Sequence, residues 1–222
     1  MKYAPLALPR RRLLFIILAL GGLLLLAGCG DYMYEGHIRL GDRFIKANNY
    51  TEAEKAYRNA IRLKPDVAEA HFGLGLALSY QGRLEEAIAE LREAIRLKPD
   101  WAEAHFNLGK VLVYQYYQPE EAIEEFRGAI RLKPDYAEPH CFLGGALLRQ
   151  GKTEEADSEF REGLRLKPDD IEALWVLAEW LDEHGRRAEA RVYWERVLKA
   201  VKHPKWKEEI KKRLAEPDSQ IK

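Results

Sequence analysis

The residues of this chain whose chemistry could go beyond packing are two cysteines and a ladder of histidines. Cys141 is the only thiol besides Cys29, so a pair of free cysteines within one folded domain is not available for a disulfide. A nucleophilic cysteine also needs a neighbouring base, and the surroundings of Cys141 read as the interior of a helix. A small buried or groove-lining role follows. His37, His71, His105 and His140 recur at near-constant spacing, which is the kind of pattern a metal array would show. They belong to successive structural units, however, and packed helices stand about 10 Å apart, whereas Zn–N bonds are about 2 Å. These histidines are expected to pack inside their own units, with no metal and no cofactor. Glutamates recur with them, as Glu35, Glu69, Glu103, Glu138 and Glu172, and lysines as Lys64, Lys98, Lys133 and Lys167. An acidic rail would favour a basic partner. Carboxylates at helix starts and ammonium groups at helix ends are also favoured by the helix dipole alone, and that is the simpler reading.

The spacing comes from an internal repeat. Ala68 to Trp101 reads AEAHFGLGLALSYQGRLEEAIAELREAIRLKPDW, and AEAHFNLG returns at Ala102 and AEPHCFLG at Ala137. Pro65, Pro99, Pro134 and Pro168 close successive copies at spacings of 34, 35 and 34. A period in this range signals stacked units of one helical hairpin each. With Ala68 as position one, Leu74, Gly75 and Leu78 fall at seven, eight and eleven, and Ala87, Leu91 and Ala94 at twenty, twenty-four and twenty-seven. Small residues pair where the two helices must cross: Gly41/Ala53, Gly75/Ala87, Gly109/Ala122, Gly144/Ala156 and Ala178/Ala190. Each proline ends a second helix, lacking an N–H and fixing φ.

This pattern resembles the tetratricopeptide repeat over Tyr34 to about Lys202. The resemblance implies an all-α fold, a right-handed superhelical α-solenoid of about five hairpins with a C-terminal capping helix. The expected repeats are 34–67, 68–101, 102–136, 137–170 and 171–204, followed by a capping helix over 205–216 and a disordered tail over 217–222. In the cap, Trp206, Ile210 and Leu214 share one face. Asn48-Asn49 stands where repeats two, four and five have a glycine turn, and asparagine tolerates the left-handed conformation required.

In repeats of this kind the face of the first helix opposite the hairpin interface lines a concave groove, built from positions two, five, nine, twelve and thirteen. Position five is apolar throughout: Ile38, Phe72, Phe106, Cys141 and Trp175. Leu76 and Lys110 lie at nine, Tyr80 and Tyr114 at thirteen, and Glu69 and Glu103 at two. So many large apolar residues on a solvent-facing surface point to a protein segment in the groove. Packing against neighbouring helices is the alternative use of the same side chains. Repeats that clamp a carboxylate at a partner's C-terminus need lysine and asparagine where this chain has Glu103 and Asp42, which argues against that specialisation.

The 222 residues are 47% apolar and carry no net charge, so electrostatics suggests no nucleic-acid partner. The balance is uneven along the chain. Lys2, Arg10, Arg11 and Arg12 precede an apolar run from Leu13 to Ala27, and setting those four aside leaves 32 basic against 36 acidic residues. The run is short for a membrane span and is flanked like a secretory signal. It ends in Leu26-Ala27-Gly28-Cys29, which resembles the lipobox of bacterial lipoproteins. The resemblance implies a signal peptide over 1–28, lipidation of Cys29 and a short tether over 29–33; an ordinary signal peptide would leave Cys29 incidental. Asp31 stands one place beyond the position that retains lipoproteins in the inner membrane, which favours the periplasmic face of the outer membrane. Lipoproteins of this layout resemble the pilotin of type IV pili. The expected function is a non-enzymatic scaffold binding a partner protein at the membrane. The alternative is self-association through solenoid edges, for which Tyr114, Tyr116 and Tyr117 are the candidate contacts.

Overall fold

The computed structural model describes residues 33–115 and 119–215. Cys29, the leader, the tether up to residue 32, Tyr116, Tyr117 and the tail from 216 lie outside the described residues, as does the side chain of Tyr114. The chain divides into two compact units, one ending at Leu97 and one beginning at Lys98. Among the described residues all regular structure is helical.

The first unit holds two hairpins: α1 (residues 33–46) with α2 (Tyr50–Leu63), and α3 (Ala68–Tyr80) with α4 (Leu84–Leu97). The second holds three, α5 (Ala102–Gln115) with α6 (Pro119–Leu132), α7 (Ala137–Arg149) with α8 (Thr153–Leu166), and α9 (Ile171–Glu183) with α10 (Arg187–Ala200). It closes with α11 (Pro204–Ala215).

One turn serves four of the hairpins. Asn48, Gly82, Gly151 and Gly185 all have φ between 56° and 75°. The next residue then donates its N–H five residues back: Asn49 to Phe44, Arg83 to Leu78, Lys152 to Leu147 and Arg186 to Leu181, at 2.8 to 3.0 Å. This is the Schellman closure, which satisfies carbonyls that the helix end would orphan. Asparagine thus does the glycine's work in the first repeat, as expected.

The crossing within each hairpin is tight, but the glycines answer to a different neighbour than the sequence pairs suggested. A Cβ on Gly41 would lie 2.6 Å from the Tyr57 ring, on Gly109 2.7 Å from Phe126, and on Gly144 2.9 Å from Phe160. On Gly75 it would lie 2.8 Å from Leu91, with the Ala87 carbonyl at 3.3 Å. The glycine at position eight therefore admits the large side chain at twenty-four. The alanines at position twenty are fully buried beside it. In the fifth repeat Ala178 and Trp194 share this role, and the buried indole donates to Asp182 Oδ2 at 2.7 Å.

The cap packs through Ile210, which is fully buried. Arginines of α10 tie down its last carbonyls, Arg187 to Arg213 O and Arg191 to Leu214 O. Trp206 sits in the first turn of α11, remains 48% exposed, and reaches over Trp175 with ring centroids 6.0 Å apart.

Candidate partner-binding groove

In the first, third and fifth repeats the position-five side chain packs against neighbouring helices. Ile38 packs against the cluster of Ala60, Val67 and Ala70. Phe106 is only 6% exposed and meets Tyr136 and Phe142 edge-on, with centroids at 5.2 and 5.3 Å. Trp175 stands edge-on to Trp194 at 5.1 Å. These side chains seal seams between helices, so Phe106 is a core residue rather than an exposed anchor. Lys110 lies over the rings of Phe106 and Phe142 at 5.5 and 5.2 Å and covers that seam from outside.

The seam between α7 and α9 is not sealed. Its position-five residue is Cys141, and an open cleft of about 290 Å³ remains there. The cleft is floored by Cys141, Phe142, Gly145, Val176 and Trp180, and Leu148 and Val113 extend the apolar wall. Burial pushes the Cys141 thiol up to about 12, so it is protonated at neutral pH and contributes shape, not nucleophilicity. The lining is acidic: Glu138, Asp170, Glu172, Glu179 and Glu183 outnumber its one basic residue, Arg149. Lys167 bridges Glu138 at 2.7 Å and Asp170 at 2.8 Å, and these carboxylates hold its ammonium well above the ordinary lysine range. Asp170 also caps α9, accepting from the N–H of Ala173.

The remaining candidates are dispersed. Phe72 and Leu76 are half-buried and Glu69 is exposed on α3. Tyr80 is 58% exposed and stacks on Tyr50 at 4.6 Å, beside the hairpin turns. Glu103 pairs with Lys133 at 3.1 Å, so in the third and fourth repeats the recurring glutamates and lysines bind one another across their hairpins. Helix dipoles favour each charge at its place, and pairing adds to that. Phe142, Gly145, Val176 and Trp180 were not singled out by sequence reasoning. The signal was an apolar or vacant position six, nine or ten, visible only once the facing helices are known.

Three histidines of the ladder each bond to a glutamate of their own hairpin. His71 contacts Glu90 through Nδ1 at 2.7 Å and the Pro65 carbonyl through Nε2 at 2.8 Å. His105 repeats this with Glu125 and the Pro99 carbonyl. His140 meets Glu159 at 2.6 Å, and its Nε2 is buried without a partner. Among the described residues no group of three His, Cys, Asp or Glu side chains is placed to hold a metal, and no helix is long and apolar enough to cross a membrane.

The family profile described as tetratricopeptide repeat matches residues 38–100, 75–137, 117–171 and 143–204. The chain belongs to the tetratricopeptide repeat family. Tetratricopeptide repeats are protein–protein interaction scaffolds, and proteins built from them are generally non-enzymatic. Among solved structures the chain is similar to PilF of Pseudomonas aeruginosa, with a TM-score of 0.72 at 24% identity over 84% of each chain. It is also similar to a thermophilic tetratricopeptide protein of Thermus thermophilus, with a TM-score of 0.70 at 22% identity over 82% of this chain and 98% of the other. A third is YrrB, characterised by an unusual peptide-binding site, with a TM-score of 0.60 at 22% identity over 79% and 90%. At these identities the likeness speaks for the fold. No curated protein matches the sequence.

Proposed function

We propose that this protein is a membrane-anchored, non-enzymatic scaffold that holds a segment of a partner protein against its first helices and so supports assembly of an envelope complex, such as a pilus or secretion system. The observation that carries the binding part is the unsealed cleft between α7 and α9, whose apolar floor is left open to an occupant. That YrrB, of the same fold, has a peptide-binding site supports the same use here. The anchor rests on the run from Leu13 to Ala27 and on the Leu26-Ala27-Gly28-Cys29 tetrad. Acylation at Cys29 gives a firm attachment, since two chains already suffice. Inner-membrane retention would need an aspartate in place of Gly30. The outer membrane's periplasmic face is therefore the proposed site of action, and the resemblance of this layout to type IV pilus pilotins supports an envelope role.

A photo-reactive amino acid placed at Val176, inside the cleft, and separately at Val192, 57% exposed on α10, tests the binding reading in intact cells. Val176 should yield a discrete cross-linked partner and Val192 should not. Cross-linking from both positions alike, or from Val192 alone, overturns the groove.

A further inference from the structure

The two neighbouring seams of the second unit differ by missing side chains. Between α5 and α7, Phe106 at position five meets Phe142 at position six and fills the space. Between α7 and α9, position five is Cys141 and position nine is Gly145. The two adjacent glycines of α7 have different reasons. Gly144 has Phe160 at 2.9 Å from a would-be Cβ, so no side chain fits. At Gly145 the nearest atom is Val176 Cγ1 at 3.8 Å, an ordinary contact. Packing does not require glycine there, and a helix interior disfavours it relative to alanine. Its consequence is open volume next to Val176.

We infer that this cleft is a specificity pocket for a cationic partner segment, one that seats a single bulky apolar side chain between Lys or Arg residues. The inference rests on the groove reading and adds the chemistry of the occupant. Its volume of about 290 Å³ lies just below the range for small-molecule sites, roughly 300–1,000 Å³. It suits one large side chain, not a whole helix.

The charge follows from the lining. Glu138 and Asp170 are engaged by Lys167, and Glu179 by Arg213 at 3.2 Å. Glu172 and Glu183 are exposed and have no ion-pair partner among the described residues. On α9 the series Glu172, Val176, Glu179, Glu183 follows the i, i+4, i+7, i+11 spacing of one face. At 1.5 Å per residue the unpaired carboxylates stand about 6 Å before and about 10 Å beyond Val176. An apolar anchor on Val176 thus meets negative charge on either side. Cationic flanks gain from both, and acidic flanks are repelled by both.

The test measures fluorescence anisotropy on the purified full chain in detergent. Three labelled peptides share a central Leu-Phe pair flanked by lysines, by glutamines or by glutamates. The lysine peptide should bind tightest and the glutamate peptide weakest, and added salt should narrow the difference. Gly145→Leu fills the pocket from a site with room for a Cβ. It should weaken the lysine peptide by more than about tenfold without lowering the thermal midpoint. Glu172→Gln with Glu183→Gln should weaken that peptide alone, several-fold. Equal binding of all three peptides that Gly145→Leu still abolishes overturns the cationic preference and keeps the groove. Lysine-peptide binding unchanged by Gly145→Leu overturns the pocket. Failure of every peptide to bind overturns pocket and groove reading together.

Discussion

At the scale of single residues, His71 and His105 show how a repeated position comes to favour a proton. Both contacts of His71 are oxygen acceptors, a carboxylate and a carbonyl. A neutral imidazole has one N–H and can satisfy only one of them; the imidazolium satisfies both. The hydrogen bond to Glu90 accordingly raises the pKa of His71, against the opposing effect of burial, and Glu125 does the same for His105. The sign follows by linkage. A folded pKa above the unfolded value of about 6.5 gives stability that is complete below that value and is lost as pH rises through the raised pKa. His71→Gln should therefore destabilise more at pH 5.5 than at pH 9, as read by urea midpoints. An equal loss at both pH values would show that the imidazolium is not the stabilising form. Glu90, Glu125 and Glu159 were not predicted as partners, because they sit among many helix-B carboxylates and only the hairpin's closure selects them.

At the scale of elements, each of the first four hairpins is a large side chain inserted over a glycine. Gly109→Leu should force the Phe126 ring out of its place, at a cost on the order of 1–3 kcal/mol. The loss should extend to adjoining repeats through their shared interfaces. A thermal melt of the full chain that matches wild type would show that the crossing tolerates bulk. The existence of the crossing was legible from the glycine and alanine positions alone. Which residue the glycine accommodates was not, because position twenty and position twenty-four lie one turn apart on the same buried stripe. In the cap, periodicity placed Trp206 and Ile210 on one face; the degree of burial was not legible, for Ile210 is fully buried while Trp206 stands in the first turn and extends over Trp175.

At the scale of the whole molecule, the proposed attachment lies in the leader and the proposed binding in the repeats, so the two should separate by mutation. Cys29→Ser removes the thiol that lipidation needs while leaving every described helix untouched. It should abolish incorporation of labelled fatty acid and leave the protein uncleaved or released from membranes. The Val176 cross-link, if a soluble form still reaches its partner, should persist. Undiminished labelling of the serine variant would reject the lipid anchor.

The sequence alone determined the period, the helix boundaries near each proline, the turn residues with positive φ and the buried stripe. Each of these follows from local rules: missing N–H groups, allowed backbone angles and 3.6-residue spacing. The groove was legible as a face but not as a site. Position five reads as five apolar residues in a row, and the sequence offers no way to see that Phe106 and Trp175 meet aromatic neighbours while Cys141, itself buried, leaves a cleft beside it. That outcome depends on side-chain volumes summed across two helices a repeat apart. Cys141 and Gly145 are ordinary residues singly; together they leave a cleft that the facing Val176 and Trp180 of α9 line but do not fill.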